Sequence, residues 1–145
     1  MTGVTRRWLA RGLIALFALG AIRTVVVSVL PILRPYRSSA RLKQMADEMN
    51  RLLPAMVGTE MELTRVMGSE GMLTEELRLV HYTGTVAAFQ RQVPAMRPQM
   101  IAIACADRTL RDQFLLREIG VRYNITAADH THLATVQVLP SDCRR

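Results

Sequence analysis

Hydrophobic and polar positions divide the chain into one unbroken apolar run and a longer stretch of short periodic segments. The run, GLIALFALGAIRTVVVSVLPIL from Gly12 to Leu33, carries a single charge at Arg23. As a helix it would rise about 33 Å, enough to cross a hydrocarbon core of about 30 Å. Beyond it, Ser38 or Ser39 can cap a helix in which Leu42, Met45, Met49, Leu52 and Leu53 recur at helical spacing. Lys43, Asp47, Glu48 and Arg51 take the opposite face, and Pro54 is the stop. Over residues 59–67, Met61 and Leu63 alternate with Glu60, Glu62 and Thr64. A turn at Gly68-Ser69-Glu70-Gly71 follows. Then Leu77, Leu79 and His81 point one way and Arg78, Val80 and Tyr82 the other. Two alternating runs around a glycine-bounded loop predict a β-hairpin.

Thr85 to Val93 reads as a short helix, and Pro94 and Pro98 interrupt the chain after it. Gln99 to Ala104 is an apolar helical segment ending at Cys105. Asp107 can cap a further helix with Leu110, Phe114 and Leu115 as its buried stripe and Gly120 as its C-terminal stop. Val121, Tyr123 and Ile125 alternate as a strand, Ala127 to Thr131 turns, and Leu133 to Leu139 returns with Val136 and Val138 inward. The expectation is an α+β fold: an N-terminal transmembrane helix, then a four-stranded antiparallel sheet of two hairpins with helices on one face. The boundary falls between an anchor at 1–37 and an extracytoplasmic domain at 38–145.

Charge changes the picture. The chain has 145 residues, net charge +7 and a pI near 10.7, values that ordinarily raise nucleic acid as a partner. Yet Arg6, Arg7, Arg11, Arg23, Arg34 and Arg37 all lie in the first 37 residues, which hold no acid. The rest of the chain is nearly neutral, and its aromatics Tyr82, Phe89, Phe114 and Tyr123 occupy core-like positions. Basic flanks around an apolar run are a membrane-insertion pattern. A nucleic-acid surface needs clustered cations with aromatics to stack bases, so that class is set aside.

Arg23 is the cost of the membrane reading, about 2.5–3.5 kcal/mol at a helix centre, set against about 0.3–0.6 kcal/mol gained per apolar neighbour. Trp8 and Tyr36 would mark the two interfaces. The rival is a cleaved signal peptide with a small-residue site at Ala18-Leu19-Gly20. Cleavage there would leave an exposed apolar tail from Ala21, which favours the uncleaved anchor. Basic residues are nearly balanced across the run. The N-terminus is placed in the cytoplasm because the run looks secretory and because Cys105 and Cys143 both lie beyond it. A bond between these cysteines would contribute about 4 kcal/mol in the chain-entropy model and requires an oxidising compartment. Two separate buried thiols are the other reading.

The stretch MADEMNRLLPAMVGTEMELTRVMG, with LRLVHYTG, IGVRYNI and VQVLPSDC, resembles a family of small uncharacterised bacterial proteins with an N-terminal membrane or signal segment. The matching positions are Met49, Asn50, Leu53, Pro54, Met56 and Val57; Val80, His81 and Tyr82; Gly120 and Val121; and Pro140 and Cys143. The resemblance spans roughly residues 42 to 143. It departs at His81, where the family tends to have Asn, and at Asp129-His130-Thr131-His132, where it tends to have a glycine-containing turn. It implies paired cysteines and export, and no activity.

Candidate chemistry is sparse. His130 and His132, at i and i+2 on a strand, could offer two metal ligands on one side, with His81 as the only third. The alternative is a polar hairpin tip, which is preferred, so no metal or other cofactor is expected. No GxSxG elbow is present, Glu75 and Glu76 point to opposite faces, and the GSEG turn lacks a phosphate-loop lysine. Met45, Met49 and Met56 suit either an adaptable binding face or helix packing, the latter preferred. The resulting expectation is a single-pass inner-membrane protein with its C-terminal domain in the periplasm. It would contact membrane lipid through its first helix, bind unidentified protein partners as an accessory or assembly subunit, and have no enzymatic role. The alternatives are a secreted periplasmic enzyme or metal binder, and a cytoplasmic domain with free thiols.

Overall fold

In the computed structural model, residues 39–144 are described. The expected transmembrane helix at 1–37 lies outside them, and among the described residues no helix is long and apolar enough to cross a membrane. Helix α1 (Ser39–Asn50) leads through a cis Leu53–Pro54 peptide into strand β1 (Ala55–Val57). Strands β2 (Met61–Ser69) and β3 (Met72–Leu79) form the first hairpin. Helices α2 (Val86–Gln90), α3 (Val93–Ala106) and α4 (Arg108–Gln113) and a 3-10 turn (Leu115–Arg117) follow. Strands β4 (Gly120–Ala127) and β5 (His132–Val138) form the second hairpin, and a 3-10 turn (Pro140–Cys143) closes the fold.

The fold is α+β as expected, but the sheet differs in two respects. It has five strands, in the order β1-β2-β3-β4-β5, and its central pair, β3 with β4, is parallel. Both hairpins are present. What joins them is a helical crossover, which carries the chain back to the end where β3 began, so β4 must run alongside β3 in the same direction. Strand β1 has only three residues, too few for an alternating pattern to show.

Register explains the two faces. Leu63 pairs with Leu77, Leu73 with Val121, Leu77 with Ile125 and Tyr123 with Val136, and all of them are buried. Phe89, Met100, Ala104, Leu110 and Phe114 from the helices join the same core, so the helices cover one face. The other face is a polar grid: Glu62 opposite Arg78, Arg65 opposite Glu76, Arg122 opposite Gln137, and Asn124 opposite Thr135. Arg78 and Glu62 form an ion pair across it.

Four glycine and proline positions depart from expectation. Gly68 belongs to β2 rather than the turn, which is the two-residue Glu70–Gly71 with φ of 41° and 74°, matching a hairpin turn of the primed type. Gly120 opens β4, and the left-handed residue closing the preceding helical segment is Glu118, with φ 63°. Helix α3 begins at Val93, not Gln99, and accommodates both prolines. Pro94 sits in the first turn, where no N–H is needed, whereas Pro98 forgoes one bond inside the helix.

Candidate functional site

Because β3 and β4 are parallel, both end on the same side of the sheet, and two loops meet there. Ligands of sheets with parallel strands commonly sit outside the carboxyl ends of those strands. A cleft of about 380 Å³ opens between Tyr82–Val86, which lead into α2, and the β4–β5 turn with Leu133.

One wall is built by capping chemistry. The Thr85 hydroxyl oxygen accepts the Ala88 N–H at 3.1 Å and so caps α2. The Tyr82 hydroxyl donates to the Thr85 carbonyl at 2.9 Å, and its ring meets Phe89 edge to face at 5.4 Å. Burial raises the Tyr82 pKa above its ordinary value. A side chain at position 84 would place Cβ 2.4 Å from the Tyr82 hydroxyl, so glycine here lets the Tyr82 ring lie over the loop and any larger residue would displace it.

The other wall is the turn. Ala127 N–H donates to Thr131 O at 2.9 Å and His130 N–H to Ala127 O at 3.0 Å. Asp129 Oδ1 accepts the Thr131 N–H at 3.0 Å. The hydrogen bonds from Thr131 hold the exposed Asp129 carboxyl below its ordinary pKa, and the nearby His130 acts in the same direction. The register slips between Ile125 and Thr126, and at this bulge consecutive residues Leu133 and Ala134 are both buried. A bulge re-aims side chains in this way, and here it turns Leu133 into the core beneath the cleft.

The histidines do not converge into a metal set. His81 is exposed just past β3, and His130 is exposed in the turn with φ 67°. His132 lies on the polar face opposite Thr126, its Nε2 3.4 Å from Thr135 Oγ1. Strand alternation starts only at His132, so it does not relate His130 to His132. Among the described residues no three His, Cys, Asp or Glu side chains are arranged to hold a metal ion.

Cys105, at the end of α3, and Cys143, in the last 3-10 turn, are joined in a disulfide with Cα atoms 5.3 Å apart. Asp142 beside it accepts the Leu139 N–H at 2.8 Å and faces Arg97 at 3.7 Å. Glu75 is fully buried opposite Val66, and Glu76 points to the polar face. Of the methionines, Met45 is core, Met49 packs against it and Met56 is 45% exposed. Asp129 was legible only as part of a polar hairpin tip and Tyr82 only as core. The Thr83-Gly84-Thr85 triplet directly after a strand was the available sign of a built loop.

No protein-family model and no curated protein matches the sequence. Solved structures do. A candidate secreted protein from Pseudomonas aeruginosa superposes with a TM-score of 0.59 at 20% identity, covering 73% of this chain and 92% of that one. The type 2 secretion system pilotin EpsS of Vibrio vulnificus gives 0.57 at 14% identity, covering 74% and 92%. The type II secretion system pilotin AspS of Vibrio cholerae gives 0.53 at 15% identity, covering 72% and 91%. At these identities the likeness is one of fold.

Proposed function

We propose that this protein is a non-enzymatic accessory subunit that binds protein partners during assembly of a bacterial envelope machine. Its N-terminal segment holds it in the inner membrane, and its α+β domain works in the periplasm. The observation that carries the reading is the shared fold with two type II secretion pilotins over nine-tenths of their length. The Cys105–Cys143 disulfide supports an oxidising compartment, and the basic, apolar N-terminus supports the anchor. Chemical crosslinking in native membranes, followed by purification in mild detergent, tests it. A reproducible envelope-protein partner is expected, and repeated recovery of the protein alone would reject the reading.

A second reading, release as a secreted periplasmic protein, is favoured by the Pseudomonas neighbour. N-terminal sequencing of the mature protein separates the two: Met1 or Thr2 for the anchor, Ala21 or Ile22 for release.

A further inference from the structure

We propose that the cleft holds a basic side chain, Arg or Lys, of the partner polypeptide. The cationic head sits against the Asp129 carboxylate, and the aliphatic stem lies along Val86 and Ala127. The inference deepens the partner-binding reading and rests on it.

Four observations point to this occupant. Asp129 alone among the lining residues carries a formal charge, so the cleft is anionic with no cation of its own lining it. The Thr131 N–H orients one carboxylate oxygen, the Thr131 side chain also bonds the carboxylate, and the group remains exposed to a ligand. The rest of the lining divides into apolar groups and the hydroxyls of Tyr82, Thr83, Thr85 and Thr131. That combination matches a side chain with an apolar stem and a hydrogen-bond-donating cationic tip. Size agrees too: about 380 Å³ is at the lower end for ligand sites, room for one long side chain with its backbone. An acidic or phosphorylated group would meet Asp129 by like-charge repulsion, and a purely apolar one would cover its charge without a counterion.

The test is an amide NMR titration of the full chain in lipid nanodiscs with Nα-acetyl-arginine amide, Nα-acetyl-lysine amide and the neutral isostere Nα-acetyl-citrulline amide. Saturable shifts are expected at Thr83, Gly84, Ala128, Asp129 and Thr131 with the two cationic probes. Citrulline should bind about two- to fivefold more weakly, the range of one exposed ion pair. Asp129→Asn keeps the oxygen that accepts Thr131 N–H and removes the charge. It should bring the arginine probe down to the citrulline level with an otherwise unchanged spectrum. Equal binding of arginine and citrulline, undiminished arginine binding by Asp129→Asn, or no shifts in the cleft would each overturn the proposal. The titration needs no partner, so its failure is distinct from an empty crosslinking result.

Discussion

The Asn50 carboxamide pairs with the backbone of Val66 in both directions: its Nδ2 donates to Val66 O and its Oδ1 accepts Val66 N–H, each at 2.8 Å. Strand β1 pairs with β2 only as far as Leu63, so beyond that point the outer edge of β2 has lost its neighbour. A helix-terminal side chain takes the place of the missing strand and ties α1 to the sheet. Asn50→Ala leaves two part-buried backbone groups unsatisfied and should cost about 1–3 kcal/mol. Asn50→Asp should cost a similar amount, since a carboxylate cannot donate to Val66 O. Urea unfolding followed by circular dichroism checks both.

Helix α1 packs directly against the backbone of β2 at Gly68. A Cβ there would lie 2.4 Å from the Leu42 carbonyl oxygen, a backbone atom that no rotamer change can move. Gly68→Ala should therefore destabilise by about 1–3 kcal/mol, the range of an overpacked core. Ser69→Ala, one residue on at an exposed site, should stay within about 0.5 kcal/mol.

The Cys105–Cys143 bond closes the last 38 residues of separation onto α3. Cys105→Ser with Cys143→Ser should lose about 4 kcal/mol in the chain-entropy account. Protein purified from the envelope should shift mobility between reduced and non-reduced gels, and the double variant should not.

Glu118 adopts φ 63°, where a side chain costs about 1–2 kcal/mol. Its ion pair with Arg144 is exposed and offsets little. Glu118→Gly should stabilise by about 0.5 kcal/mol, after the added flexibility of the unfolded chain is counted. A rise in melting temperature is the readout, and a fall would show that the Arg144 contact matters more.

Asp129 should titrate below its ordinary value of 3.8, chiefly because Thr131 hydrogen-bonds to its charged form. A depressed folded pKa means this contribution is present above the unfolded value and lost as pH falls through the folded one. A carboxyl-carbon NMR titration measures it directly, and a midpoint at or above 3.8 would contradict the turn geometry.

The residue pattern of the chain was enough to place α1, both hairpins, the capping role of Asp107, and most inward residues of β3, β4 and β5. These features are written locally, in repeats of two or 3.6 residues and in caps one turn from their targets. The prolines of α3 misled because a propensity for breaking helices is overridden when position and packing tolerate it.

Residue order alone thus determined most of the helices and the four longer strands, which of their faces are apolar, and where the positive charge is concentrated. Only the tertiary structure decided that β4 lies parallel to β3, that Gly68 is needed by a helix rather than a turn, and that Asn50 completes a sheet edge sixteen residues away. It also decided that Tyr82 and Asp129 share a cleft. The reason is physical: each of these depends on two segments distant in sequence meeting at atomic range, and such a meeting leaves no period in the sequence of either one.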